Sequence, residues 1–210
     1  CDTVIFTGGL SMNVKANMLL AEIANKNKMQ FFAAPSGDDF SHCISVAYSA
    51  FMPDENSLGE INPGKLSRLD LGYNFSEDDR RDITELAEQG GWEILPLNLK
   101  LIATFLEEGK ILALCHGKAE FGARALGFRS IIADPRDLDT IRRINMTVKM
   151  RDFWMPFAPA ILEGYEDRYI ESLSLNHTYR FMSCAAKTTK DGQSELRAAT
   201  HPYDHTARPQ

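Results

Sequence analysis

Hydrophobic positions along the chain predict short strands alternating with amphipathic helices. Residues 3–7 are a β-branched run that ends at two glycines, and apolar residues then recur at helical spacing over 11–27. Residues 30–34 form a second strand-like run closed by a Pro-Ser-Gly-Asp-Asp turn, and residues 41–51 return to helical spacing. This part of the chain therefore predicts a β-α-β-α order, one piece of an α/β domain.

The rest of the chain has the same mixed character after a polar connection. Residues 53–74 are rich in proline, glycine, asparagine and charge without a sustained period, which predicts a linker. A serine followed by three acidic residues predicts a helix over 76–88. Beyond it, the pattern predicts helices over 98–107 and 139–149, and strands over 111–116, 129–133, 157–162, 179–186 and 196–200.

Composition excludes several classes of protein. Of the 210 residues, 44% are hydrophobic and 25% are charged, which is typical of a globular chain and not of a collagen-like, coiled-coil or disordered one. Apolar runs fall short of the roughly 18 residues that a membrane helix needs. The four cysteines lack C-x-x-C spacing, which favours a reducing, cytoplasmic setting. The chain begins at Cys1 without a signal-like stretch, and we interpret it as part of a longer protein.

Positive charge is concentrated in one stretch of an acidic chain. The formal net charge is −6, which argues against non-specific nucleic-acid binding as the main task. Residues 110–152 nevertheless carry nine basic and five acidic side chains. Glycine, alanine, phenylalanine and proline surround these charges, whereas a solvated helix would interleave Glu and Lys. The pattern favours a confined anion site, and a solvated surface face is the alternative.

Residues 116–136 contain the groups that an anion site requires. Gly117, Gly122 and Gly127 allow backbone N–H groups to approach a ligand closely, and phosphate oxygens suit such a site. Four side chains supply charge in the same stretch: Lys118, Arg124, Arg129 and Arg136. The alternative is that neighbouring carboxylates neutralise each of them. Lys149 and Arg151 follow at a predicted helix end, where the helix dipole favours positive charge even without a ligand.

This stretch offers cations but no protein nucleophile. No Ser-His-Asp or Cys-His arrangement is recognisable in the sequence. The aromatic cluster of Phe153, Trp154 and Phe157 is interpreted as core, with a stacking surface as the alternative. Clustered cations without a nucleophile are typical of sites that stabilise charge on phosphoryl oxygens.

A long run of motifs begins at Glu120. The pattern E-F-G-x-R-A-L-G-x-R-S-I-x-A-D-P-R is followed by N-x-x-x-K-x-R-D from Asn145 and by P-F-A-P from Pro156. A G-G-x-x-x-N-x-x-x-N turn spans 8–17, and D-H-T-A-R-P-Q occupies 204–210. Together these segments resemble the motifs of the carbamoyltransferases of the nodulation and antibiotic-tailoring type.

The resemblance implies a fold and an activity. It implies a fragment of an actin- and sugar-kinase-like ATPase domain over 1–52, a linker and helix over 53–91, and a YrdC-like mixed-sheet domain over 92–210. Such enzymes form carbamoyl adenylate from carbamoyl phosphate and ATP and transfer the carbamoyl group to an acceptor hydroxyl. The implied partners are these small molecules and the rest of the parent polypeptide, without membrane or nucleic acid, and the fragment alone is expected to be inactive. The alternatives are a non-catalytic nucleotide- or anion-binding module and a threonylcarbamoyl-type relative that modifies RNA.

The resemblance also assigns roles by position. It assigns carbamoyl phosphate and the ATP phosphates to six cations: Lys118, Arg124, Arg129, Arg136, Lys149 and Arg151. It assigns nucleotide binding to Gly8, Gly9, Asn13, Asn17 and Arg208. Asp38 falls where such folds place an acidic residue near a divalent metal, magnesium or iron, and a plain helix-cap turn is the alternative.

Overall fold

The computed structural model describes residues 2–51, 68–96, 98–171 and 176–210 as an alternation of helices and short strands. The α-helices in these ranges are α1 (Val14–Lys26), α2 (His42–Phe51), α3 (Glu77–Gln89), α4 (Leu99–Glu107), α5 (Asp139–Ile144), α6 (Glu166–Tyr169), α7 (Asn176–Tyr179) and α8 (Lys190–Glu195). The strands are β1 (Thr3–Phe6), β2 (Gln30–Ala33), β3 (Leu112–Cys115), β4 (Arg129–Ile132), β5 (Ala186–Lys187) and β6 (Thr206–Ala207). The predicted α/β class is confirmed. Among the described helices, none combines the length and apolar character of a transmembrane span.

A parallel pair of strands organises the first part of the chain. β1 and β2 pair in register from Thr3 opposite Gln30 to Phe6 opposite Ala33, with α1 as the crossover. The Oδ1 of Asn13 accepts hydrogen bonds from the N–H groups of Lys15 and Ala16 in the first turn of α1, and this cap fixes where the helix begins. Small alanines of α1 pack on β2, so the helix lies close to the sheet. The predicted β-α-β-α order is confirmed.

An antiparallel pair and two capped helices form the middle of the chain. Ser76 and Asp79 cap α3 reciprocally, as the acidic first turn predicts. β3 pairs with β4 from Leu112 opposite Ile132 to Cys115 opposite Arg129. The predicted helix over 139–149 is present as α5 and a π-helical turn that continues it (Asn145–Lys149). Most of the predicted linker, 53–67, lies outside the described residues.

Three predicted strands are wrong. Residues 157–162 are irregular, because Pro156 and Pro159 remove backbone donors that a ladder needs. Residues 179–186 are mostly a turn, in which Met182 adopts a left-handed backbone with φ 53°. Residues 196–200 hold a 3₁₀ turn, since a short apolar run has no period that separates strand from helix.

Residues from distant parts of the chain share one core. Met18 of α1 packs with Ile170, Cys184, Ala185 and Ala186. The N–H of Ala185 also donates to the carbonyl of Val14 at 3.0 Å. The helix α1 is therefore anchored on the segment around β5. The division into actin-like and YrdC-like domains stays a prediction.

The cysteine in this core generates a testable prediction. Cys184 is fully buried, and burial, aided by Glu22, raises the pKa of its thiol to about 12, whereas Cys43 and Cys115 are exposed. Because the thiolate is the reactive form, we expect a maleimide at pH 8 to label Cys43 and Cys115 in the folded protein and Cys184 only after unfolding. Peptide mass mapping after timed labelling measures this. Equal labelling rates for all three thiols would contradict it.

Candidate functional site

Three loops meet at the carboxyl ends of β1 and β2. A Cβ added at Gly37, in the loop after β2, would overlap the Oγ of Ser11 in the turn after β1. A Cβ added at Gly122, whose φ is +109°, would overlap the Oγ of Ser36. Only glycine allows these close approaches. The glycine loop of residues 120–129 is thus packed onto the edge of a parallel sheet where α/β proteins commonly bind ligands.

Glu120 determines the shape of this glycine loop. Its Oε1 accepts hydrogen bonds from the N–H groups of Leu126 at 2.7 Å, Phe128 at 2.8 Å and Arg129 at 3.1 Å. Burial opposes ionisation of the carboxyl, but these N–H groups more than offset it and lower the pKa of Glu120. Glu120, at the start of the loop, therefore holds the backbone at the end of the loop, and Arg124 lies between these points in the chain.

Three arginines from separate segments gather beside the loop, and we call Arg124, Arg151 and Arg208 the arginine cluster. Burial first, and then repulsion by Arg124 and Arg151, lowers the pKa of Arg208 to about 10. The Nε of Arg208 is buried and has no hydrogen-bond partner among the described residues. Within the described ranges, no carboxylate lies within ion-pair distance of any of the three. The positive charge of the cluster is therefore not neutralised by an ion pair within the described ranges.

Asp38 is the acidic residue whose charge acts on the cluster. Burial lowers the pKa of Arg124, and the charge of Asp38 opposes that shift. The Nη2 of Arg124 also donates to the carbonyl of Met12 at 3.3 Å. One carboxylate oxygen of Asp38 is buried without a hydrogen-bond partner in the described part of the chain. Asp38 therefore lies at the junction of the loops, next to the cationic site.

A metal would need more ligands than this part of the chain supplies. The described residues contain no group of three or more His, Cys, Asp or Glu side chains arranged to hold a metal ion. Asp38 contributes one carboxylate, whereas magnesium and iron sites in proteins use several oxygen or nitrogen ligands. The described residues by themselves do not fit a metal site, and the role of Asp38 as a ligand stays a prediction.

The other four predicted phosphate-binding cations have contacts of their own or are exposed. Arg129 donates to the carbonyls of His116 at 2.6 Å and Gly117 at 2.9 Å, and its guanidinium carbon lies 4.9 Å from the Phe75 ring centroid. Arg136 forms a forked pair with Asp134, and its side chain is 64% exposed. Two further cations are exposed: Lys118 and Lys149. A phosphate role for these four stays a prediction.

The predicted nucleotide-binding residues of the first turn have structural contacts of their own. Gly8, with φ 90°, and Gly9 have open space where a side chain would lie. Asn13 caps α1. Asn17 is fully buried and donates to the carbonyls of Ser11 and Ser183, each at 2.6 Å. These contacts hold both asparagines in place, but the Oδ1 of Asn17 is buried without a hydrogen-bond partner among the described residues, and the nucleotide role of both stays a prediction.

The cleft beside Arg124 is small. Residues from the first turn, the glycine loop and the turn before β5 line it, among them Ser11, Phe121 and Met182. Its volume is about 10 Å³, which is room for about one water molecule. A phosphorylated ligand is too large for this cleft as it stands.

Two further residues matter that the sequence did not assign. Glu120 shapes the glycine loop, and Asn145 accepts a hydrogen bond from the Nε of Arg151 at 2.7 Å. Glu120 lies two residues before Gly122, and Asn145 lies six residues before Arg151. Their position within the motif run is the sequence signal that could have identified them.

The aromatic cluster is not core. Phe153 and Trp154 are 64% and 55% exposed, so their interpretation as core is wrong. The chain leaves the π-helical turn through Met150, whose left-handed φ of 49° turns the following segment along the surface. Phe157 is partly buried, and the guanidinium carbon of Arg151 lies 4.8 Å from its ring centroid.

Arg208 is placed by contacts between the last segment and α1. The Nζ of Lys15 donates to Asp204 and, at 3.2 Å, to the Oγ1 of Thr206. Burial opposes ionisation of Asp204, but the hydrogen bonds from Lys15 and Thr206 lower the pKa of that carboxyl well below its usual value. β6, which immediately precedes Arg208, pairs with β5. The segment that carries Arg208 is thus docked on the core.

The fold and the arginine cluster define an α/β protein with a cationic site on a glycine loop. Residues 103–210 match the family described as Carbamoyltransferase C-terminus. The chain belongs to the carbamoyltransferase family, and its relatives place it with the nodulation and antibiotic-tailoring type. The resemblance identified from the motifs is confirmed.

The relatives are much longer than this chain. An uncharacterized protein of Methanocaldococcus jannaschii is 34% identical over 97% of this chain and 33% of its own length. The nodulation protein NolNO of Sinorhizobium fredii is 32% identical over 80% of this chain and 25% of its own length. The 3'-hydroxymethylcephem-O-carbamoyltransferase of Streptomyces clavuligerus is 28% identical over 96% of this chain and 35% of its own length. The chain therefore spans about a third of the length of the Methanocaldococcus and Streptomyces relatives.

Removal of the Glu120 carboxylate tests its role in the loop. Glu120→Ala leaves three N–H groups without their acceptor, and we expect it to lower the free energy of unfolding by about 1–3 kcal/mol in urea titrations. Glu120→Gln keeps an acceptor oxygen and is expected to lose less. Glu163→Ala, at an exposed glutamate, is the control and should unfold like the parent. A parent-like Glu120→Ala would refute the assignment.

The Lys15–Asp204 contact predicts a pH dependence. Because the folded-state pKa of Asp204 is lowered, its contribution to stability is present above about pH 4 and is lost as the pH falls below that value. We expect Asp204→Asn to lower the free energy of unfolding at pH 7 and to flatten the acid limb, which is the fall of that free energy with pH below about pH 4. Urea unfolding from pH 7 to pH 2 measures both. Asp167→Asn, at an exposed aspartate, serves as the control. An unchanged acid limb in Asp204→Asn would count against the contact.

Proposed function

We propose that this protein is an ATP-dependent carbamoyltransferase. Water cleaves carbamoyl phosphate to carbamate and phosphate, and a carbamate oxygen then attacks the α-phosphorus of ATP to form carbamoyl adenylate and release pyrophosphate. The acceptor hydroxyl takes the carbamoyl group from the adenylate and releases AMP and a proton. The observation that carries the proposal is the arginine cluster, in which three cations gather without a carboxylate in ion-pair distance among the described residues. Membership of the carbamoyltransferase family, and a relative named as a carbamoyltransferase acting on a hydroxymethylcephem, support it.

The electrostatics of the cluster suit two phosphorylated substrates. Like charges that approach within several ångströms at the edge of a protein cost up to a few kcal/mol, by an effective dielectric constant of about 20. A bound phosphate group removes that cost, so the cluster favours an anion. Carbamoyl phosphate and ATP also repel each other, and arginines between them offset the repulsion. Charge that develops on phosphoryl oxygens during the reaction is stabilised by the same groups, without a protein nucleophile.

The rest of the assignment follows the family. We propose that 1–52 belongs to an actin-like domain that transfers the carbamoyl group and that 92–210 belongs to a YrdC-like domain that forms the adenylate. The acceptor is a small molecule with a hydroxyl group, and the remainder of a longer polypeptide is the partner. A cytoplasmic location is part of the proposal, and the exposed Cys43 and Cys115 support it because such thiols persist in reducing compartments.

The test is turnover by the protein expressed from its complete coding sequence. Arg124→Ala removes a cation from the cluster, and we expect carbamoyl-phosphate-dependent release of pyrophosphate from ATP to fall by about 100-fold or more. Arg81→Ala, at an exposed arginine paired with Asp78, is the matched control and should leave the rate unchanged.

Other outcomes discriminate the alternatives. Parent-like release by Arg124→Ala would remove the site assignment. ATP binding without turnover in the parent would favour a non-catalytic nucleotide-binding module. Strongly salt-dependent RNA binding would favour a relative that modifies RNA.

A further inference from the structure

Asn145 is a buried amide with every hydrogen-bonding group of its side chain occupied. It is 0% exposed at the start of the π-helical turn. Its Nδ2 donates to the carbonyls of Phe153 at 3.1 Å and Met155 at 2.9 Å. Its Oδ1 accepts from the Nε of Arg151 at 2.7 Å. One side chain therefore joins the helix end, the segment that follows it and an arginine of the cluster.

A backbone hydrogen bond is a second contact between Arg151 and Asn145. The wide π-helical turn ends at Lys149, and the left-handed conformation of the next residue, Met150, reverses the chain. The N–H of Arg151 then donates to the carbonyl of Asn145 at 3.0 Å. Two contacts with one residue fix both the backbone and the side chain of Arg151, and the ring of Phe157 covers a face of the guanidinium.

The chemical type of the group that binds Nε determines whether Arg151 keeps its positive charge and its terminal N–H donors for a ligand. The amide oxygen of Asn145 is neutral, so it orients the guanidinium without cancelling its charge. The terminal amino groups of Arg151 make no hydrogen bond or ion pair with the described residues. Arg136 shows the contrast, because the carboxylate of Asp134 both orients and neutralises it. An arginine held through Nε by a neutral group keeps its charge and its outer donors for a ligand.

We propose that Asn145 is a positioning residue that holds the guanidinium of Arg151 through Nε and leaves its terminal amino groups available to an anion shared with Arg124 and Arg208. This inference rests on the proposed function, because it assumes that the arginine cluster binds phosphorylated ligands. It adds a role for a residue that does not itself touch the ligand. The arginine is oriented before the ligand arrives, so binding does not have to restrict a mobile side chain.

Phosphate binding to the full chain tests the inference. We expect Asn145→Ser to weaken inorganic phosphate binding about tenfold in calorimetric titrations, the size of one lost hydrogen bond to a charged group. Arg151→Lys is expected to weaken it at least as much, because lysine has no Nε donor for Asn145. The double variant should bind no more weakly than Arg151→Lys alone, since both changes remove the same arrangement.

A buried-residue control separates positioning from stability. Phe31→Leu shortens a buried side chain of β2 that packs with Ala21 and Ala24 of α1 and is not part of the arginine cluster. We expect it to destabilise the protein but to leave the phosphate affinity unchanged. Equal loss of phosphate affinity in Phe31→Leu and Asn145→Ser would show a general effect of stability and overturn the inference.

A spectroscopic measurement on the unaltered protein covers the case in which Asn145→Ser does not fold. The Nε–H of Arg151 should exchange with solvent much more slowly than that of the exposed Arg81 in ¹⁵N NMR, because it donates to a buried oxygen. Exchange as fast as that of Arg81 would overturn the inference.

The failures of the two proposals are distinguishable. If Arg151→Lys weakens phosphate binding and Asn145→Ser does not, the inference fails and the proposed site stands. If the losses add in the double variant, the two residues act independently and the inference fails as well. If neither single variant weakens binding, Arg151 is not part of a phosphate site, and the proposed function loses that residue along with the inference.

Discussion

Neutral hydrogen-bond acceptors hold two arginines of the cluster and leave their positive charge in place. The backbone carbonyl of Met12 accepts from Arg124, and the amide oxygen of Asn145 accepts from Arg151. Neither group cancels the charge that it orients. Gathering cations that form no ion pair costs electrostatic free energy, and the surrounding contacts must supply the stability that offsets it.

The carboxylates near the motif serve other purposes. Glu120 accepts three backbone N–H groups and shapes the glycine loop, instead of pairing with an arginine. Asp134 pairs with Arg136 at the surface and removes that cation from the cluster. The same residue types in one short stretch therefore divide into loop construction, surface pairing and the cationic site.

Contacts between distant segments decide where the cluster forms. Arg124, Arg151 and Arg208 come from the glycine loop, the end of a π-helical turn and the segment after β6. Helix α1 joins these parts, because it packs on the core around Cys184 and binds the last segment through Lys15. The stability of this core is therefore a condition for the geometry of the site.

The sequence by itself determined the order of most helices and strands in the first two thirds of the chain, because caps, glycines and hydrophobic period are local signals. It also determined the family, since the motif from Glu120 is long and specific. The strands expected over 157–162, 179–186 and 196–200 are absent. The first contradicts a signal that the sequence does carry, because Pro159 lacks a backbone donor, whereas the left-handed Met182 and the short apolar run of the other two have no reliable local signal. Which cations converge was decided only by the tertiary structure. Arg124 and Arg136 have the same chemistry in sequence, but the orientation of each side chain depends on carbonyls, amides and carboxylates that the fold brings near it.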